Sequence, residues 1–140
     1  MGRIVAIDYG KKRVGLAATD EMQMIANAIG TVSSHEVMDF LKKYLLTEKV
    51  DCFVVGEPKQ MNNTASESSV FIEPFVKALH KAFPDIPIKR CDERFTSKMA
   101  FQTMIDAGLN KTQRKNKALI DSISATIILQ SYLEGINKNI

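Results

Sequence analysis

The sequence contains no apolar run long enough to span a membrane, and its first residues do not have the pattern expected of a secretory leader. A transmembrane helix needs about 20 consecutive, mostly apolar residues, and no stretch of the 140-residue chain approaches this pattern. The first residues also lack an apolar core followed by a small-residue cleavage site. We therefore expect a cytoplasmic protein with no membrane partner.

Cysteine and histidine are scarce, with two of each. Cys52 and Cys91 both lie in apolar, strand-like runs, which predicts two buried, reduced thiols; a disulfide or a metal-binding pair is the alternative. His35 falls in the first turn of a predicted helix and His80 on a solvated helix face, so both are interpreted as structural or surface positions. This distribution does not favour a zinc site, which uses clustered His and Cys ligands.

The chain also lacks internal repeats, low-complexity linkers and a visible domain boundary. Its composition, 45% hydrophobic and 25% charged, is that of an ordinary globular protein. A chain of this length can bury a substantial core. We expect a single domain over residues 1–140.

Hydrophobic patterning near the N-terminus predicts three successive strands, over residues 3–8, 14–19 and, more weakly, 24–32. The link between the first two strands is short enough for a hairpin, and Gly10 can supply a positive φ there. The third run is interrupted by Asn27 and Gly30. Together the three runs predict an antiparallel meander.

The remaining pattern alternates between helical and strand periods. Ser33 and Glu36 form a predicted capping box before the first helix, and residues 52–56 have the pattern of a strand buried on both faces. Pro74 falls inside the second helical stripe, so that helix either kinks or begins there. Residues 86–91 form the next strand, Thr96 caps a third helix that ends at Gly108, and a last helix follows. The stripes are Val37, Phe40, Leu41, Tyr44 and Leu45 in the first helix, Phe71, Phe75, Ala78, Leu79 and Ala82 in the second, and Ala118, Asp121, Ala125, Ile128, Leu129 and Tyr132 in the last.

These elements predict an α/β fold whose mixed central sheet combines the antiparallel three-strand meander with parallel strands, with helices on both faces. In such sheets the working site lies outside the carboxyl ends of the parallel strands. Three predicted strand ends carry acids there: Asp8, Glu57 and the pair Asp92 and Glu93.

Asp121 is an acid on the otherwise apolar stripe of the last helix, where burial of a carboxylate requires a partner. An ion pair with Lys117 or a cap-like backbone contact is one interpretation. In the other, the fold brings Asp8, Glu93 and Asp121 together, and a cation between them keeps all three ionised. Hard oxygen ligands of this kind suit Mg²⁺ or Mn²⁺.

The choice between Asp92 and Glu93 depends on strand register. Side chains alternate between the two faces of a strand, so Glu93 shares a face with Cys91 and Asp92 shares a face with Arg90. The alternation by itself does not decide which of these two faces is also the face of Asp8. The longer Glu side chain reaches further into a cleft, which favours Glu93.

The net charge of +3 is small, but the cations are clustered. Clusters of this kind are typical of phosphate binding, although a solvated basic loop is the alternative. Nucleic-acid phosphates are the expected ligands, and the candidate residues are Lys11, Lys12, Arg13, Arg94, Arg114, Lys115 and Lys117.

Four sequence blocks resemble the YqgF family, also called RuvX. They are AIDYGKKRVGLA at 6–17, VVGEP at 54–58, DERFTS at 92–97 and the segment from Lys117 to Leu133, which contains DSISATIILQSYL. The blocks occur in family order and span nearly the whole chain. The resemblance implies an RNase H-like fold related to RuvC resolvases, with Asp8, Glu93 and Asp121 as the catalytic, metal-binding acids.

The same resemblance implies a metal-dependent endonuclease acting on structured nucleic acid. Within the family, processing of the 16S rRNA precursor in the cytoplasm is the favoured role, and resolution of four-way DNA junctions is the older assignment. A non-catalytic nucleic-acid-binding module and a nucleotide-binding fold of the actin and sugar-kinase type are further alternatives. The last of these needs two lobes, and 140 residues supply one.

Two features stay open at the level of sequence. Glu57 stands where the family pattern has a leucine, and it either adds a metal or water ligand or, as we expect, faces solvent. The apolar helix face of Phe101, Met104 and Ile105 packs internally or against a second chain, so a monomer and a homodimer both fit.

Overall fold

The computed structural model describes residues 2–10, 12–23, 25–57, 69–92 and 117–138, and at positions 57, 69–71, 92, 117–122 and 134–138 it describes the backbone only. The described strands form a five-stranded sheet in the order β3-β2-β1-β4-β5, with β1 in the centre. The strands are β1 (Arg3–Tyr9), β2 (Arg13–Thr19), β3 (Ala26–Ser33), β4 (Val50–Glu57) and β5 (Ile88–Asp92). The described helices are α1 (Val37–Thr47), α2 (Ser69–Ala82) and α3 (Lys117–Lys138).

The pairing confirms the predicted mixed sheet. β1 pairs antiparallel with β2, and β2 pairs antiparallel with β3, which gives the meander. On its other side β1 pairs parallel with β4, which pairs parallel with β5. β1 is therefore hydrogen-bonded on both sides, and its apolar residues alternate between two covered faces.

Each face of the sheet carries its own core. On one face, Val5 and Ile7 of β1 cluster with Leu41 of α1 and Leu79 of α2; we call this the α1/α2 face. On the other, Ile4 and Ala6 cluster with residues of α3, and we call this the α3 face. The α3 residues in that cluster are Ala125, Ile128, Leu129 and Leu133.

The β1–β2 turn differs from its prediction at Gly10. Among the described glycines, the one with a positive φ is Gly30, so the predicted positive φ of Gly10 is wrong. The Gly10 N–H donates to the Arg13 carbonyl oxygen at 2.9 Å, and a β-carbon at Gly10 would lie 2.6 Å from that oxygen. Close approach of the backbone, rather than a left-handed conformation, therefore requires glycine here.

β3 contains a bulge that explains its weak sequence signal. Leu16 pairs with Gly30 and Ala17 with Ala28, which leaves Ile29 as an extra residue. The insertion reverses the alternation, so that Ala26 packs on the α3 face and Val32 on the α1/α2 face although both positions are even-numbered.

The first helix confirms the predicted apolar stripe but not its cap. Val37 and Leu41 are buried, whereas the N-cap residue is Glu36 and no side chain caps the helix. Ser33 pairs with Arg13 as the last residue of β3 instead. The predicted capping box is wrong because this serine is part of the sheet.

The second helix begins at Ser69, so Pro74 lies inside it and does not start it. Ile72, before the proline, is 1% exposed, so the part of the helix that precedes Pro74 also contributes to the core. The predicted helix from Thr96 to Gly108 lies outside the described residues. No helix within the described ranges is long and apolar enough to cross a membrane.

The two cysteines are free thiols, as predicted, but Cys52 is buried whereas Cys91 is half-buried, so the predicted burial of Cys91 is wrong. Cys52 lies near the start of β4, whereas Cys91 pairs with Gly56 near its end. Four strand residues separate these levels by about 13 Å, which excludes a disulfide or a shared metal because a disulfide needs Cα atoms within about 7 Å. Burial raises the pKa of the Cys52 thiol, and its Sγ lies 4.0 Å from the Tyr132 hydroxyl.

Polar contacts close the amino edge of the sheet, the edge at which the parallel strands begin. Arg3 pairs with Glu48 at 2.9 Å and donates from Nη1 to the Thr19 carbonyl oxygen. Gln23 Nε2 donates to the Gly2 carbonyl oxygen at 2.7 Å and to Asp51 Oδ2 at 3.0 Å. These contacts join the first strand to the β2–β3 turn and to the start of β4.

Candidate active site

The carboxyl ends of β1, β4 and β5 lie together at the edge of the sheet opposite the amino edge. Ile7 pairs with Val55, and Glu57 pairs with Asp92. Asp8 follows Ile7 directly, so the strand-end acids that the sequence predicts at 8, 57 and 92 share this carboxyl edge. The structure describes only the backbone at Glu57 and Asp92. The expectation that the Glu57 side chain faces solvent therefore stays a prediction.

Asp8 lies on the α3 face, because alternation groups it with Ile4 and Ala6. It is half-buried. Gly15 of β2 is its register partner on one side. Gly56, one residue beyond Val55, is its neighbour on the β4 side. Neither lateral neighbour has a side chain that fills the space beside the carboxylate.

The next residue, Tyr9, holds this strand end from the opposite face. Its ring stacks on Phe75 of α2, with centroids 4.4 Å apart and planes at 17°. Because Tyr9 and Asp8 are consecutive in the same strand, fixing the tyrosine also limits the movement of the aspartate backbone.

β5 contributes the third strand end. Cys91 packs against the α3-face cluster, whereas Arg90 binds Glu73 of α2 at 2.8 Å. The hydrogen bond and charge of Arg90 lower the pKa of Glu73. Odd-numbered positions of β5 therefore share the face of Asp8. Glu93 and Arg94 lie outside the described residues.

Asp121 belongs to α3, and only its backbone position is described. The helical period places it one turn before Ala125, on the stripe that packs against the sheet. Lys117 is the first residue of the same helix. The ion pair between them and the shared acidic site both stay predictions.

The described cations begin at the β1–β2 turn. Lys12 is exposed and Arg13 half-buried. The Ser34 N–H donates to the Lys12 carbonyl oxygen at 3.0 Å, which joins this turn to the link before α1. Lys11, Arg94, Arg114 and Lys115 lie outside the described residues. His35 and His80 are exposed. His35 lies before Glu36, the N-cap residue of α1, and not in the first turn of the helix as predicted.

Within the described side chains, no group of three or more His, Cys, Asp or Glu residues is arranged for a metal ion. This statement does not extend to the predicted triad, because Glu93 and the Asp121 side chain lie outside the described part of the chain. Asp8 supplies the hard oxygen donor that Mg²⁺ and Mn²⁺ prefer. Its position at a strand end, beside two glycines, is compatible with a bound ion.

Gly15 and Gly56 have no role in the sequence-based prediction of the site. A glycine inside a strand pattern is nevertheless a known signal of close approach by a ligand or another backbone. Only the register shows that both lie next to Asp8.

Comparison with known proteins identifies relatives over almost the full chain. A family model described as "RuvX: Holliday junction resolvase" matches residues 2–135. Proteins named "Putative pre-16S rRNA nuclease" are similar throughout. That of Bacteroides fragilis is 58% identical over 134 residues, 96% of this chain and 97% of its own length. That of Flavobacterium johnsoniae is 59% identical over 135 residues, 96% of this chain and 98% of its own length.

Among solved structures, Thermus thermophilus RuvC in complex with a Holliday junction substrate matches with a TM-score of 0.54 and 16% identity. The match covers 96% of this chain and 95% of that one. At this identity the likeness shows the fold, which confirms the predicted RNase H-like class.

Proposed function

The chain belongs to the RuvX family, and from this premise we propose that it is a metal-dependent endonuclease that hydrolyses phosphodiester bonds in structured nucleic acid. The observation that carries the proposal is the position of Asp8. It ends the central strand at the carboxyl edge, on the face covered by the helix that contains Asp121. This is where ligands bind in open α/β sheets.

RuvC-like nuclease folds generally use divalent metals. In the proposed site Asp8, Glu93 and Asp121 hold Mg²⁺ or Mn²⁺. When bound, such ions activate a water molecule and stabilise the leaving oxygen of a phosphodiester. The alternation of β5, with Cys91 on the α3 face and Arg90 on the other, supports Glu93 over Asp92.

Helix geometry supports the inclusion of Asp121. Tyr132 lies beside Cys52, near the start of β4, and Ala125, about two turns before Tyr132 in the helix, belongs to the same α3-face cluster as Ala6. In the proposal, α3 runs from Tyr132 back toward the carboxyl edge. The helix rises about 16 Å from Tyr132 to Asp121, and β4 rises about 13 Å from Cys52 to Gly56, so a helix in this direction would bring Asp121 to the level of Asp8.

The basic residues near this edge hold the substrate phosphates in the proposal. Lys12 and Arg13 follow Asp8 in the β1–β2 turn and at the start of β2. Lys11, Arg94, Arg114, Lys115 and Lys117 complete the predicted set. Together with a metal ion, these basic side chains would offset the negative charge that develops on the scissile phosphate.

The favoured substrate is precursor 16S rRNA, and the favoured location is the cytoplasm. The names of relatives that are 58% and 59% identical support this choice. The description of the family model favours a second candidate, a four-way DNA junction. A monomer suffices for the first, whereas symmetric cleavage of a junction requires two sites and hence a homodimer.

The test is to incubate the purified protein with precursor rRNA and with a four-way junction, each with Mg²⁺, Mn²⁺ or EDTA. We expect cleavage of the RNA that requires the metal. Asp8→Asn and Asp121→Asn should each reduce the rate by at least about 100-fold, as when one group that stabilises developing charge is removed.

Asp39→Asn is the matched control, because Asp39 is an exposed acid in the first turn of α1. Its cleavage rate should equal that of the wild type. Cleavage that survives EDTA, or that persists in both site variants, contradicts the metal mechanism. Binding of both substrates without cleavage of either favours the non-catalytic module instead.

A further inference from the structure

Glycine is placed unusually in the central strands. The described strands β1, β2 and β4 contain two glycines between them, Gly15 and Gly56. Gly15 is the register partner of Asp8, and Gly56 follows the partner of Ile7. Both glycines of these three strands therefore lie beside the same acid, one on each side.

The neighbouring positions carry side chains. Ile7, one residue before Asp8, lies between Leu16 and Val55, and Ala6 lies between Ala17 and Val54. Within β1, β2 and β4, the positions without a side chain are thus the two that flank Asp8. A general preference for small residues across the sheet does not explain it.

Backbone conformation does not require glycine at these positions either. Gly30 is the described glycine with a positive φ, and it lies at the β3 bulge. Gly15 pairs regularly with Asp8, and Gly56 pairs regularly with Cys91. A residue with a β-carbon could adopt both backbones, so the feature to explain is the absence of a side chain on either side of Asp8.

The space in question is where an ion bound to Asp8 would lie. In a sheet, the β-carbons of lateral neighbours come within about 4.5–5.5 Å of each other. A Mg²⁺ ion lies about 2.0–2.1 Å from its carboxylate oxygen and keeps several water ligands. A methyl group on either neighbouring strand would therefore compete with the ion's remaining ligands.

We propose that Gly15 and Gly56 form a slot on both sides of Asp8 that admits a hydrated divalent cation together with the phosphodiester it activates. In this role the glycines are positioning residues: they leave room, and Asp8 supplies the contact. The inference rests on the proposed nuclease function. The inference adds that β2 and β4, the two strands that flank Asp8, set the width of the site.

Close packing of α3 is the competing explanation, because both glycines are buried and α3 covers this face. The experiment compares Gly15→Ala and Gly56→Ala with Ala17→Val. Ala17 is fully buried in the same α3-face cluster, and it pairs with Ala6, two residues before Asp8. The control therefore adds bulk beneath α3 without reaching the carboxylate.

The readouts are Mn²⁺ affinity by isothermal titration calorimetry, cleavage rate and urea midpoint. In each glycine variant the Kd for Mn²⁺ should rise by about 10-fold or more, the size of effect reported for residues that support metal ligands. Cleavage should fall in parallel. Ala17→Val should lower the urea midpoint at least as much while its Mn²⁺ affinity stays at the wild-type value.

Wild-type Mn²⁺ affinity and cleavage in both glycine variants overturn the slot, whatever happens to the urea midpoint. Failure of both variants to fold, with Ala17→Val folded, also overturns it, because packing then requires the glycines. If one variant fails to fold, the other decides. Wild-type protein that binds no Mn²⁺ and cleaves nothing overturns the proposed function itself, whereas loss of binding in Asp8→Asn supports that function independently.

Discussion

The side chain of Thr19 takes the place of a backbone hydrogen-bond acceptor at the point where the β1–β2 pairing ends. The first register pair is Val5 with Ala18. Beyond it, the buried Ile4 N–H donates to Thr19 Oγ1 at 2.9 Å, and the Thr19 carbonyl accepts from Arg3. Thr19 itself is 0% exposed. Thr19 thus accepts hydrogen bonds from two donors, the Ile4 amide and the Arg3 guanidinium, that the β1–β2 pairing does not satisfy.

Thr19→Val should destabilise the fold. Valine has nearly the same shape, but it leaves the buried Ile4 amide without its acceptor, at a cost of about 1–3 kcal/mol. The free energy of unfolding in urea measures the loss. The control is Thr47→Val, because the Thr47 hydroxyl is exposed and contacts the Tyr44 carbonyl at 3.4 Å; its effect should stay within about 0.5 kcal/mol. Equal losses in both variants would contradict this role of the Thr19 hydroxyl.

The position of Asp8 was accessible from the sequence because an apolar run ends there and a turn follows. Its two glycine neighbours were not, because lateral contacts depend on pairing between distant segments. Gly10 shows the same limit: the sequence suggested a positive φ there, whereas the role of glycine is to allow the close approach of the Arg13 carbonyl, which only the folded turn reveals.

Between elements, one aromatic contact fixes the carboxyl end of β1 to α2. Tyr9 and Phe75 stack face to face, and Phe75 follows Pro74 in the middle of the helix. The contact lies on the face opposite Asp8. It therefore restrains the end of the strand without occupying the proposed site.

A double-mutant cycle should detect this contact. Tyr9→Leu and Phe75→Leu should show a coupling free energy of about 0.5–1.5 kcal/mol in urea unfolding, and Tyr9→Phe should retain most of it. Combining Tyr9→Leu with Tyr132→Leu serves as the control, since Tyr132 lies on the other face near the start of β4. That pair should be additive within about 0.5 kcal/mol. Additivity of Tyr9 and Phe75 would show that the stacked rings act independently.

Periodicity predicted the strands and the helical stripes because each element buries a face of regular spacing. The sequence-based prediction was wrong where the tertiary structure places a residue in a different element or interrupts the regular spacing. Ser33 has the right chemistry for a helix cap but belongs to the β2–β3 ladder. The second helix includes residues before Pro74, and one inserted residue, Ile29, breaks the period of β3.

At the scale of the whole molecule, the two edges of the sheet hold different kinds of residues. The amino edge is closed by hydrogen bonds among Arg3, Gln23, Glu48 and Asp51. Gln23 adopts a φ of 57°, the positive-φ non-glycine residue of the described chain, and its side chain makes two of these bonds. The carboxyl edge carries Asp8 and the cations near it. This hydrogen-bond network and the proposed chemistry thus lie at opposite ends of the strands.

Gln23→Ala should lower the free energy of unfolding by about 1–2 kcal/mol, because the Gly2 carbonyl and Asp51 lose a donor. The cleavage rate at saturating substrate should not change. Gln130→Ala, at an exposed position of α3, should alter stability by less than about 0.5 kcal/mol. A large loss of cleavage in folded Gln23→Ala would show that the two edges are coupled.

The bulge at Ile29 has a consequence for self-association. β3 lies at the end of the described sheet, and its eight residues include no charge and no proline, the usual protections against edge-to-edge pairing. The extra residue interrupts the row of outward N–H and C=O groups and increases the local twist. A strand from another molecule could align with only half of β3 at a time, so the same insertion that obscured the sequence pattern also discourages aggregation.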